Sequence, residues 1–325
     1  MGIHRVNSTA LDNIQAINAI TASDHQGFNG IAFTDKVAIF GYGHTASLLG
    51  LTNLINSAGV VKTDEGAVGE ERRDLGAVSF GGDKAIFAYG MHANGSNVVT
   101  TKSNLVSNLG VVADDVSGVG TARRDIAGAS YGGDKGIFGF GRTTSSSGRT
   151  GVTNLVNNSG VVQADEGAVG TARHELAATS YGGDKAIFAY GEDASDVTTT
   201  SNLVSNSGVV VTDLSGVDTA RASLAAAPYG GDKGIFAYGY TDDYTTLSNL
   251  VSNSGVVQAE ESGVATARAS IAAAGVGDGA IFAYGTPSDG NYTALSNLVN
   301  NSGVVQNEVS GVGTARSDLA ASSLG

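Results

Sequence analysis

The chain contains no cysteine, no tryptophan and only two prolines in 325 residues. Without cysteine there is no disulfide framework, no thiolate metal site and no cysteine nucleophile. No stretch approaches the roughly 20 apolar residues of a membrane-spanning helix, and the opening MGIHRVNSTALDN lacks the apolar core of a signal peptide. Membrane insertion is therefore not expected. Basic residues are outnumbered, with 18 Lys and Arg against 31 Asp and Glu, a net charge of −13. Nucleic acid and anionic membrane surfaces both call for a basic face, so neither is expected as a partner. The five histidines, His4, His25, His44, His92 and His174, show no HxH or HExxH spacing. No metal or cofactor is expected on that ground.

Glycine is plentiful, at 48 residues, and it alternates with Val, Ile, Thr, Tyr, Ser and Asn. That mixture makes short strands and tight turns. It is also repeated. SYGGDKAIFAYG at 180–191 returns as SFGGDKAIFAYG at 79–90, SYGGDKGIFGFG at 130–141 and PYGGDKGIFAYG at 228–239. Shorter relatives lie at 34–43 and 275–285. The Phe of each IF pair falls at Phe40, Phe87, Phe138, Phe188, Phe236 and Phe282, spaced by 46 to 51 residues. Between them recurs a second signature, such as SNLVSNSGVV at 201–210, and a third, TAR followed by small residues, as in TARHELAATS at 171–180.

Each unit resolves into four strands: a small-residue run, a GGD turn, the IF run, a variable loop, an SNLV run, an NSG turn and an outer VVQAD run. The first two strands do not alternate cleanly between apolar and polar, so burial on both faces is expected. Four-stranded sheets at this period describe β-propeller blades. Ala, Ser and Gly suit a crowded axis, and Ala178, Ala226 and Ala273 are expected there. The expected fold is all-β, a single propeller domain over residues 1–325 with four-stranded antiparallel blades, closed by strands from both termini. LDNIQAINAITASD at 11–24 aligns with 247–260 and supplies a seventh Asn–aliphatic pair, at Asn13. Residues 1–33 are thus read as a degenerate first part that completes a split blade with 317–325, GIHRV pairing with 319–324. Seven blades are expected, with six plus an N-terminal arm as the alternative.

The order of Arg, small-residue strand, Gly turn and IF strand ending in Gly resembles the kelch repeat of β-propellers. The resemblance runs through Arg72, Arg123, Arg173, Arg221, Arg268 and Arg316. It departs where the kelch Gly-Gly doublet is replaced by Tyr-Gly or Phe-Gly, and where the usual Trp is missing. Degenerate units of this composition are similar to repeats of bacteriophage and other virion proteins. The resemblance implies a structural or binding protein, such as a phage tail, fibre or decoration component.

Asp83, Asp134, Asp184 and Asp232 of the GGDK turns could ring one face as a calcium site. One Asp per unit beside a Lys does not converge as calcium needs, so a hairpin role is favoured. The repeated arginines are read in the same way, as holding neighbouring units together. No GxSxG elbow or triad stands out, and an enzyme is not expected. What varies is the loop after each IF strand. Candidate partner contacts there are His92, Asn94, Arg142, Arg149, Asp242, Tyr244, Asp289 and Tyr292. The expected function is non-enzymatic: a virion component, assembled in the host cytoplasm, that presents these loops to a host surface glycan or protein or to another virion protein. The alternatives are a cytoplasmic kelch-type interaction scaffold and, further off, a carbohydrate-active enzyme.

Overall fold

In the computed structural model, residues 36–92, 98–144 and 148–325 are described. All regular elements among them are β-strands, as the glycine-punctuated β-branched runs predict. Each repeat forms a small antiparallel sheet in which the GGDK turn joins the first strand to the second. The second sheet orders Gly76–Phe80, Lys84–Ala88 and Ser103–Val106. The third orders Ala127–Tyr131, Lys135–Gly139 and Thr153–Val156, and the fourth Ala177–Tyr181, Lys185–Ala189 and Ser201–Val204. The fifth adds an outer strand: Ala225–Tyr229, Lys233–Ala237, Ser248–Val251 and Val257–Glu261. The sixth does the same with Ala272–Val276, Gly279–Ala283, Ser296–Val299 and Val305–Val309.

The first sheet joins distant parts of the chain. Ala320–Ser323 pairs with Lys36–Gly41, Ala321 opposite Phe40, and Thr52–Asn56 lies on the other side. The C-terminal small-residue run therefore has residues 36–41 as its partner, where the sequence suggested residues 2–6. The expected contribution of residues 1–33 lies outside the described residues. From Lys36 onward the chain is one compact unit.

In the first four sheets the outer run is tied by isolated bridges only, for example Thr153 to Glu166 and Val156 to Val162. The acid there is Asp64, Asp115, Asp165 or Asp213, which accepts from an Asn amide of the third strand at 2.9 Å. The fifth and sixth sheets carry Glu260 and Glu308, which pair opposite Asn249 and Asn297 on a fourth strand whose register shifts just beyond the Asn. The shorter acid goes with the bent outer run.

The first strands touch one another from sheet to sheet. Those of the second and third sheets meet, then third and fourth, fourth and fifth, fifth and sixth, and the C-terminal strand Ala320–Ser323 touches the first strands of both the sixth and the second. Every second strand is buried along its IF core, whereas the first strands of the third, fifth and sixth sheets alternate, as in Ala225–Tyr229, and those of the second and fourth carry one less buried residue, Ser79 or Ser180. Double-sided burial thus holds for the IF strand alone. The less buried residues of the first strands face a cavity of about 170 Å³, with Ala178, Ala226 and Ala273 on its walls. The opposite face packs between sheets, where Ala227 is 1% exposed.

Why each IF strand ends in Tyr-Gly or Phe-Gly is visible in the packing. Tyr42, Tyr89, Phe140, Tyr190, Tyr238 and Tyr284 all take φ between 62° and 67°, a region that costs a bulky residue free energy. In that conformation each ring meets the Phe of the next sheet. Tyr89 packs on Phe138 edge to face at 5.6 Å, and Tyr284 of the sixth sheet packs on Phe40 of the first at 5.3 Å. Aromatic contacts of this geometry offset the backbone strain.

Candidate functional site

The repeated arginines are scaffold by geometry, since all six are fully buried. Arg123 shows the pattern. Its Nε donates to Phe140 O at 2.9 Å, Nη1 to Thr121 O at 3.0 Å and Nη2 to Asn154 Oδ1 at 2.6 Å. Its guanidinium lies 4.6 Å from the ring centroid of Tyr89 in the preceding sheet. Arg72, Arg173, Arg221, Arg268 and Arg316 stack on the preceding ring likewise, at 4.2 to 4.8 Å. In the fourth sheet the Asn contact is missed, and Arg173 Nη2 and Asn202 Oδ1 are both left without a hydrogen bond.

The GGDK turns are joined in the same manner. Gly81 N donates to Asp134 O, Gly132 N to Asp184 O and Gly182 N to Asp232 O, at 2.7 to 2.8 Å. Asp83, Asp184 and Asp232 accept from Asn108, Asn206 and Asn253 of the NSG turns. At Asp134 the neighbouring Lys135 is 2.8 Å away.

At the other end of the first strands lies a feature that no single repeat encodes. The second residue after each arginine is Asp74, Asp125, Glu175, Ser223, Ser270 or Asp318, and all six take φ of 53° to 56°. Their backbones are joined in a cycle. Asp125 N donates to Asp74 O, Glu175 N to Asp125 O, Ser223 N to Glu175 O, Ser270 N to Ser223 O, Asp318 N to Ser270 O and Asp74 N to Asp318 O, all within 2.8 to 3.1 Å. This collar places four carboxylates and two hydroxyls around a depression of about 290 Å³.

Cations stand behind the collar. Arg124 Nη1 is 3.3 Å from Asp74 Oδ2 and 3.7 Å from Asp125 Oδ2. Arg142 Nε is 2.6 Å from Asp125 Oδ2, with Nη2 3.8 Å from Glu175 Oε1. Arg73 reaches Asp74 at 3.6 Å and His44 Nε2 at 3.1 Å, and His44 Nδ1 meets Asp318 at 2.9 Å. The arc over the fifth and sixth sheets differs: Ala222 and Ala269 replace the charged residue, and Ser223 Oγ donates to Glu175 Oε2 at 2.6 Å. Asp125, His174 and Glu175 offer ligand atoms within 4.8 Å of one another, a spacing a metal could use. Arg142 already supplies positive charge to two of them.

Of the described loop residues singled out from the sequence, only Arg142 lines this depression. Tyr292 lies near it, its hydroxyl 3.2 Å from His44 Nε2. Arg149 pairs with Glu192, and its Nε donates to the buried His174 at 3.2 Å. His92 pairs with Glu70 at 3.1 Å. Tyr244 stacks on Tyr240 at 5.6 Å, Asp242 is exposed, and Asp289 accepts from Asn291 N at 2.9 Å. Asn94 lies outside the described residues. The sequence reading missed the collar. Its signal was the dipeptide after each arginine, RD, RD, HE, AS, AS and SD, which varies beside an invariant residue.

Burial raises two of the collar acids. Asp74 is pushed well above the usual aspartate range by desolvation and by its neighbours Asp125 and Asp318. Asp125 is raised to about 6 by desolvation and Glu175, against the pull of Arg142 and Arg124. Asp318 is desolvated too, yet its contacts with His44 and Ser270 bring it below the ordinary value. A raised carboxyl favours the fold while protonated, so its contribution is complete below the unfolded-state value and is lost as pH climbs through the folded one. Asp318 acts oppositely, losing its contribution only in stronger acid. Thermal stability is therefore expected to decline between about pH 4 and pH 6 and above. The Asp125→Asn variant should show a flatter profile over that window, read by melts at a series of pH values. Parallel profiles would show that Asp125 is not coupled to folding.

Comparison with known proteins finds no family model that matches the chain and no curated protein that matches it.

Proposed function

We propose that residues 36–325 form a six-bladed β-propeller closed by the C-terminal strand, and that it is a non-enzymatic binding module of a virion. Support for six blades comes from six sheets whose first strands touch in a cycle, from the aromatic contacts that run from Tyr284 back to Phe40, and from the cyclic collar. Four-stranded blades follow if the bridged outer runs of the first four sheets are counted as edge strands.

One observation carries the binding role. The arginine and the asparagine written into every repeat, with the aromatic ring the arginine stacks on, are buried in joints between sheets, while the two residues after each arginine differ between repeats and gather at the collar. Invariance serves the scaffold, and variation is available for recognition. The partner class is a host surface glycan or protein, or a neighbouring virion subunit. The acidic net charge and the mixed-sign collar suit such polar contacts better than nucleic acid.

The test has two parts. Mass spectrometry of purified particles should find the chain at structural stoichiometry; recovery only in soluble lysate would overturn the virion assignment. Replacing the loops at 91–102, 142–152, 192–200, 240–247 and 286–295 by short Gly/Ser connections should abolish attachment to particles or host cells. A folded variant that attaches normally would move the binding role to another face.

A further inference from the structure

We propose that the depression over the collar is a subsite for one neutral sugar ring or an equivalent small polyol, held chiefly by Ser223, Ser270 and Glu175. The inference rests on the binding role above and names the chemistry of one of its sites. Its basis is the match between the depression's size, its inventory of donors and acceptors, and its internal charge pairing.

A volume of about 290 Å³ sits at the lower edge of small-molecule sites, which run from about 300 to 1,000 Å³. That is room for one ring, not for a chain. The collar offers mainly acceptors. Glu175 Oε2 already takes the Ser223 proton at 2.6 Å, so Ser223 Oγ, on the wall of the depression, is left with lone pairs to accept. Ser270 bonds to Asp318 in the same way. Two serine oxygens and the carboxylates beside them can receive the hydroxyl protons of a polyol. Arg124 and Arg142 stand beside them as donors to ring and hydroxyl oxygens.

Charge decides against an ionic ligand. The arginines are already engaged by Asp74, Asp125 and Glu175, and His44 by Asp318. An anion would have to draw an arginine away from its carboxylate while facing four acids. A cation would repel the arginines that hold those acids in place. Breaking partly buried pairs is costly, whereas a neutral polyol adds hydrogen bonds to lone pairs and protons without separating any charge. Charge-assisted hydrogen bonds of this type are the strong ones. No aromatic ring lines the depression, whose apolar wall is the aliphatic set Leu75, Ile126, Leu176, Leu224, Ile271 and Leu319, so a sugar ring finds no stacking partner and a millimolar dissociation constant is expected.

The experiment uses the full chain and saturation-transfer NMR with isothermal titration. The probes are glucose, galactose, mannose and fucose, then glucuronate and glucosamine as charged counterparts. At least one neutral sugar should bind in the millimolar range, with both charged probes weaker. The Ser223→Ala/Ser270→Ala double variant should weaken that sugar by about tenfold while its melting temperature stays near that of the parent. Should the double variant fail to fold, Glu175→Gln serves in its place, with the same loss expected. Absence of binding by every neutral probe up to about 50 mM overturns the proposal. So does tighter binding of glucuronate or glucosamine, or sugar binding that both variants leave unchanged. Attachment of the loop-replacement variant is measured separately, so this subsite and the wider binding role can fail independently.

Discussion

A chain cut after Asp318 is expected to melt at least ~10 °C below the full-length protein. The missing segment holds Leu319 and Leu324, 6% and 4% exposed, and the strand Ala320–Ser323. Losing a buried Leu side chain costs about 2–5 kcal/mol, and in a domain of this size each kcal/mol lowers the melting temperature by roughly 2–4 °C. The cut also leaves one edge of Lys36–Gly41 without its backbone partner. It further removes the strand that touches both the second and the sixth sheets. The collar residue Asp318 is retained, so the loss reports on the strand and not on the collar acid. Circular dichroism melts of the two chains measure it. Superimposed melts would mean that Ala320–Ser323 does not close the assembly.

The second large effect is expected at a single buried cation. Arg123→Met should cost about 3–5 kcal/mol, and Arg123→Lys nearly as much, read from urea denaturation midpoints. Arg123 satisfies Phe140 O, Thr121 O and Asn154 Oδ1 at once and stacks on Tyr89. Methionine fills part of the volume but orphans two buried acceptors and the half-buried Thr121 O. Lysine keeps the charge, but a tetrahedral ammonium cannot reproduce the planar fork or its stacking. Arg173→Lys should be milder than Arg123→Lys, because Arg173 Nη2 already lacks its Asn partner. Equal tolerance at Arg123 and at an exposed position such as Lys62 would rule out the joint described for this residue.

Much of this was readable from the chain alone, for local reasons. The GGDK turns, the IF strands and the NSG turns are short-range signals, and they appear as strands and turns at the positions their residues favour. Ala178, Ala226 and Ala273 were expected at a crowded axis and share one cavity wall. The strand partner of the C-terminal run was misread. Six small-residue runs match six IF runs once the last run is given to the first IF strand. The alignment of 11–24 with a later repeat suggested another partner. Strand pairing across nearly the whole chain has no local code, since any alternating run of suitable length can be its complement.

The loop candidates show the same limit. His92 and Arg149 were chosen because they carry charge on variable segments, and folding brings each to an acid, Glu70 and Glu192. The sequence determined which residue types recur, and therefore which would be consumed by the joints between sheets: the arginine, its aromatic seat and the asparagine it bonds. Tertiary structure alone decided that the positions two residues after each arginine meet. Asp74, Asp125, Glu175, Ser223, Ser270 and Asp318 are scattered across some 240 residues, and each looks like an ordinary linker residue. They become one collar because each left-handed backbone turn aims its N–H at the carbonyl of the neighbouring repeat, a direction fixed only when the sheets stand side by side.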